Sequence, residues 1–274
     1  MLWFRKYIKE PYTMDINDFE YKLTKATIEV GKNVVEDLIR PTSKTIGDNI
    51  GCFVDGIIGW LGYCGEKQKI KRTAYLDDYK KQIAQNIVSI PTSKLSEPPT
   101  RILGPIIEAS KYSLEEDIFR KMFAQLIASS CNMDYAKSIH PAFPEIIQQL
   151  SSLDAQLLHM FIQKETFPCV ELFEKHIDGK LTPYLPTLID FGKCPHNFTH
   201  ENELHFTESL DNLNRLGLIL KNKEIIELGY DYNIFKSHWF YTAISAPSQT
   251  KQIQMKEYRI ELTSFGRAFT KCCF

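Results

Sequence analysis

Apolar residues recur at helical spacing through most of the first 165 residues and lose that rhythm afterwards. Asp15 precedes a stripe of Ile16, Phe19, Leu23, Ala26, Val30, Val34 and Leu38 that ends before Pro41. That pattern predicts one long amphipathic helix. Leu76, Tyr79, Ile83, Ile87 and Ile90 predict a second over residues 67–90, ended by Pro91. Between them, residues 46–63 interleave Gly47, Gly51, Gly56, Gly59 and Gly62 with large apolar side chains and Trp60. Small residues at such spacing let helices approach closely. A glycine-rich helix or hairpin in a soluble core is therefore the leading expectation, with contact at a membrane surface as the alternative. Asp48, Asp55 and a length below the roughly 20 apolar residues of a span argue against crossing a bilayer.

The next stretch has the clearest punctuation. Pro98-Pro99 closes a polar linker, and Gly104-Pro105 is expected to open a helix with the proline in its first turn. Ser113 with Glu116 reads as a capping box. Behind it Ile118, Phe119, Met122, Phe123, Leu126 and Ile127 form one broad apolar face, which predicts the most buried helix of the unit. Residues 132–137 break the pattern. His140-Pro141 is expected to start a third helix with Ile146, Ile147 and Leu150, and Ser151 or Ser152 to cap a fourth with Leu153, Leu157, Leu158, Phe161 and Ile162.

From Pro168 on, the expectations are a short helix over 170–177 stopped by Gly179, then a proline-rich passage with Pro183, Pro186 and Pro195. Phe206, Leu210, Leu213 and Leu216 give a further helix face, with Gly217 as its stop. β-prone runs follow at 218–220, 225–228, 239–244 and 258–262, and Thr263 opens a last helix. Three segments are expected: 1–92, the long helices with the glycine-rich stretch; 93–165, the central helical unit; and 166–274, the mixed module.

The order Glu97-Pro98-Pro99, Gly104-Pro105, Glu108, Glu115-Glu116, Met122-Phe123-Ala124, Ala128-Ser129, His140-Pro141 and Leu153-Asp154-Ala155 resembles the Abi-alpha family, bacterial proteins linked to abortive-infection defence against phage. The resemblance implies a helical protein with a defence role and transfers no active-site residue. The order helix, LNRLGLI, strand, YRIELTSFGRAF in the last segment resembles a winged helix-turn-helix. The expected class is thus mainly α, a multi-helix N-terminal and central bundle followed by a small α+β winged-helix-like domain.

Charge narrows the function. The net charge is -1, which argues against a surface built for nucleic acid. From Thr199 onward nine basic residues balance nine acidic ones, and the would-be recognition helix sets Glu208 and Asp211 against Arg215 alone. Phosphate affinity needs a cationic excess, so Arg215, Arg259 and Arg267 are the nucleic-acid candidates of a disfavoured reading. Trp60, Lys67, Lys69, Lys71 and Arg72 are the candidates for membrane or partner contact, since cations flanking an apolar stretch suit anionic headgroups. MLWFRKYIKE is too short in its apolar part for a leader, and its Trp3 and Phe4 are expected to pack.

Seven scattered cysteines without a CxxC pair suggest reduced thiols and a bacterial cytoplasmic setting, with peripheral contact at the inner membrane left open. Cys194, His196 and His200, with Cys169 or His205, have metal-ligand types but no established zinc spacing. Surface histidines are the simpler reading. Glu108, Glu115, Glu116 and Asp117 suit a helix start, and His140 suits a cap. With no phosphate loop, nucleophile elbow or metalloprotease signature, the sequence calls for no cofactor, no metal and no catalysis. The expectation is an interaction protein or effector that meets a protein partner or its own copies, with a nucleic-acid-binding regulator as the alternative.

Overall fold

The computed structural model describes residues 50–61, 69–191, 203–245 and 252–274. The expected helix over 16–38 lies outside these residues, as do Trp3, Phe4, Pro195 and Lys67.

Helix α1 (Ile50–Leu61) is the described part of the glycine-rich stretch. It buries Phe53, Val54 and Ile57 against α2 (Lys69–Val88), so this helix packs into the core. Tyr79, Ile83 and Ile87 of α2 are fully buried on the stripe that the spacing predicts. Helix α3 (Thr100–Ser110) starts earlier than expected. Pro99 precedes it, and Pro105 lies inside it rather than in the first turn.

Helix α4 (Asp117–Ser130) is the centre of the bundle: ten of its 14 residues are buried. It packs against α2, α3 and the last helix. The expected capping box at Ser113 does not form. Glu116 takes the N-cap position without a side-chain cap bond, and its carboxylate instead accepts from Ser152 Oγ. Arg120 explains why the turn is displaced. Its guanidinium donates to Asp78 Oδ2 at 2.7 Å, Leu114 O at 2.6 Å and Asp117 Oδ1 at 2.9 Å, tying α2, the turn and α4 together.

A four-residue helix α5 (Met133–Ala136), capped by Asn132, follows where the apolar pattern breaks. Helix α6 (Phe143–Gln149) comes after His140, whose Nδ1 accepts from Ala142 N at 3.2 Å. Its ring also meets Phe265 at 5.4 Å between centroids, so it packs, while the N-cap position itself is taken by Ala142 without a side-chain bond. Helix α7 (Ser152–Gln163) opens with a full capping box between Ser151 and Asp154.

The chain is not the mainly α protein with a small appended wing that its sequence suggests. Helices dominate, but the C-terminal region builds a substantial antiparallel sheet of order β2-β1-β4-β3. Strand β1 (Thr166–Lys175) takes the place of the expected helix over 170–177. Gly179, read as a helix stop, turns a hairpin with φ of 83° into β2 (Leu181–Ile189), the strand of the proline-rich passage. Pro183 and Pro186 are tolerated because β2 is an edge strand. Helix α8 (Glu203–Arg215) and β3 (Ile219–Asn222) follow, joined through Gly217 at φ of 73°. The run 225–228 lies outside the strands, and 239–244 is α9 (Trp239–Ile244), capped by His238, instead of a strand.

Strand β4 (Gln252–Leu262) decides the architecture. It pairs with β3 as the second strand of a wing would, but also with β1 along the whole of β1. Alternate residues of β1 therefore face two cores. Phe167 and Cys169 join the core shared with the helices, whereas Val170 and Leu172 join a second cluster with Leu188, Tyr232 and Phe235. Burial on both faces makes the strand read as a continuous apolar run, which periodicity cannot tell from a buried helix.

Helix α10 (Ser264–Cys273), capped by Thr263 Oγ1 on Gly266 N at 2.8 Å, returns the chain to the bundle. Ser129 Oγ of α4 donates to Cys272 O at 2.9 Å in the interior. One apolar core runs from Phe53 through α4 to Cys273 and takes in the inner face of the sheet.

Candidate functional site

Two surfaces stand apart from the core. The first is an open-mouthed cavity of about 620 Å³ lined by α2, α4, α7, the end of α10 and Phe274. Helical spacing makes it. Gln82, Gln85 and Asn86 share one face of α2, and Ile118, Lys121, Met122 and Gln125 share one face of α4. Met160, Gln156 and His159 of α7 complete it with Cys273 and Phe274. The floor is apolar and the rim is mostly carboxamide.

Two interactions set its electrostatics. Lys121 Nζ is held by Asp117 at 2.5 Å. That contact, followed by Arg120, keeps the Asp117 carboxyl below its ordinary range. Gln82 Nε2 donates to Asp78 Oδ2 at 2.6 Å, the same oxygen that Arg120 holds. Burial pushes the Cys273 thiol well above its usual value and Cys272 up to about 11. Cys273 is a wall of the cavity rather than a nucleophile. A smaller cavity of about 310 Å³ lies beyond Asn86 and Gln125, which line both.

The second surface is the open edge of the sheet. Leu220 on β3 and Ile225, Ile226 and Leu228 in the loop after it are exposed, Leu228 at 90%. Four large apolar side chains within nine residues on an edge and its flanking loop are unusual for a surface that meets only water.

The candidates named from sequence fall differently. Lys69, Lys71 and Arg72 stand in the first turn of α2, and Trp60 lies in the last turn of α1. The nucleic-acid candidates are each engaged within the chain. Arg215 donates to Asn212 Oδ1 at 2.7 Å and Gln149 Oε1 at 3.1 Å. Arg259 pairs with Glu261 and Arg267 with Glu165, both at 2.8 Å. The three lie on α8, β4 and α10 and do not converge on one another's partners.

Cys194, His196 and His200 lie outside the described residues. Cys169 is fully buried in β1, and His205 pairs with Glu208 at 3.1 Å on the surface of α8. Among the described residues no group of three or more His, Cys, Asp or Glu side chains is placed to hold a metal. Three of the acids at 108–117 serve structure: Glu108 pairs with Lys111 at 2.7 Å, Glu116 accepts from Ser152, and Asp117 pairs with Lys121 and Arg120. Sequence reading missed the amide cavity, although Gln82, Gln85, Asn86 and Gln125 at helical spacing were a legible signal. It read 218–220 and 225–228 as β-prone runs; Leu220 does lie in β3, whereas 225–228 is loop.

The family model for abortive infection alpha matches residues 71–273 of the chain. No curated protein and no solved structure matches it significantly.

Proposed function

Because the chain belongs to the abortive infection alpha family, we propose that it acts in bacterial defence against phage as a non-enzymatic interaction protein, meeting a protein partner through the open edge of its sheet. The exposed set Leu220, Ile225, Ile226 and Leu228 carries this reading. Such an edge gains free energy when a partner covers it. Action by contact is supported by how the reactive groups are used: buried protonated thiols, and acids engaged in ion pairs at helix starts.

The nucleic-acid alternative has less support, since Arg215, Arg259 and Arg267 already have partners within the chain. Membrane contact through residues 46–63 would require Phe53, Val54 and Ile57 to leave the core. No helix among the described residues is long and apolar enough to cross a membrane. The cytoplasm is the proposed setting.

The test is a phage challenge of bacteria expressing the wild-type chain or Ile226→Glu/Leu228→Glu. Both positions are exposed, so the change should shift stability by only about 0.5 kcal/mol, checked by circular dichroism. Plaque numbers are expected to return to those of unprotected cells. Full protection by the double variant would overturn the reading. Sedimentation of both proteins identifies a second copy as the partner if wild type self-associates and the variant does not.

A further inference from the structure

We propose that the cavity between α2, α4, α7 and α10 is a binding site for a neutral nitrogen heteroaromatic ligand, the chemistry of a nucleobase carried as a free nucleoside. The site is separate from the sheet edge, and the two share no residue. Its volume of about 620 Å³ lies inside the range of roughly 300–1,000 Å³ for small-molecule sites, which combine an apolar body with a few convergent polar groups.

The lining selects the chemistry. Met122, Met160 and Ile118 supply the apolar floor, and methionine sulfur adapts well to a flat ring. At the mouth the His159 and Phe274 rings stand 5.9 Å apart between centroids and are inclined by 34°, offering a flat face for stacking. Around these sit Gln85, Asn86, Gln125 and Gln156. Among the described residues none of their side-chain amides has a hydrogen-bond partner.

A carboxamide presents a donor and an acceptor side by side. That is the complement of a base edge, and the reason Asn and Gln read adenine by paired hydrogen bonds. A hydrocarbon would leave these groups unused. Gln82 adds a fixed element. Its nitrogen must face the Asp78 carboxylate at 2.6 Å, so its oxygen is the leftover acceptor, shielded and without a partner. A ring or exocyclic N–H in the cavity supplies the missing donor once a shift of the Gln82 side chain uncovers this oxygen.

Neutrality follows from the cation. Lys121 is the one lysine lining this cavity among the described residues, and Asp117 holds it at 2.5 Å. A phosphate would compete with that carboxylate and bring a second negative charge beside it. The ligand is therefore a nucleoside or free base rather than a nucleotide or a strand.

Calorimetric titration and saturation-transfer NMR of the full chain with adenosine, guanosine, cytidine and thymidine test the proposal. Adenosine monophosphate and indole serve as the charged and the nearly apolar flat controls. At least one nucleoside should saturate in the submillimolar range, its affinity falling about tenfold or more in Gln125→Leu and in Gln156→Leu. Both substitutions remove the amide at a position that is not buried, and indole affinity should stay level or rise in them. Saturation by no nucleoside, unchanged nucleoside affinity in both variants, or tighter binding of the monophosphate than of adenosine would each overturn it.

Discussion

The helical bundle and the sheet are built from the same kinds of side chain but by different rules of assembly. In the bundle each helix carries its own instructions. The stripe of α2, the broad face of α4 and the Ser151 box of α7 lie within a few residues of the contacts they specify. The sheet is assembled from pieces far apart in the chain. Phe167 of β1 faces Ile260 of β4 across the ladder, and although β4 alternates buried and half-buried positions from Tyr258 to Leu262, β1 is buried without a break from Phe167 to Val170 and shows no such period. The consequence is unequal redundancy. The bundle core is deep and continuous, whereas the outer face of the sheet is covered by the small cluster of Val170, Leu172, Leu188, Tyr232 and Phe235.

That contrast can be broken most forcefully where the two regions join. At Gly266, where α10 leaves β4, an added Cβ would lie 2.0 Å from Leu218 O and 2.9 Å from Leu218 C. Backbone cannot yield as a flexible side chain does, so Gly266→Ala should cost about 3 kcal/mol or more, read by urea unfolding. A loss below about 1 kcal/mol would mean that the joint is looser than this packing.

Next in size are two phenylalanines, one from each core. Phe123→Ala empties a fully buried position in α4 and should lower global stability by about 3–5 kcal/mol. Phe235→Ala should cost less, because the outer cluster is small and can open locally. Hydrogen exchange is expected to rise over 230–244 with the bundle amides still protected. Equal collapse of both regions in Phe235→Ala would show that the outer cluster is as integral as the bundle.

The smallest effect belongs to a local signal. Ser151 accepts from Asp154 N, and Asp154 Oδ2 returns the bond to Ser151 N at 2.7 Å. Ser151→Ala should cost about 1 kcal/mol in the same denaturation experiment. No measurable loss would mean that α8, through Asn212 on Asp154 at 2.8 Å, holds α7 in place without its cap.

How far the chain can be read follows the same line. The glycine-rich stretch was legible as a packed helix or hairpin from its spaced small residues, and the buried Phe53, Val54 and Ile57 fall on one face of the helix. Gly217 was legible because few residues other than glycine adopt its φ. Gly179 has the same conformational signature and was misread, since a positive φ ends a helix and turns a hairpin equally well. The Ser113 box failed for a different reason. Its local hydrogen bonds competed with Arg120, whose partners Asp78, Leu114 and Asp117 come together only in the folded bundle.

The sequence by itself determined the apolar faces of the bundle helices, the family and the near-balance of charge, because each is written in spacing, motif order or composition. Tertiary structure alone decided that β1 is a strand, that Leu220 and Leu228 face outward, and that four uncommitted amides border one cavity. Each of these depends on which distant segment supplies the other half of a surface, and a local pattern of apolar and polar residues carries no information about that partner.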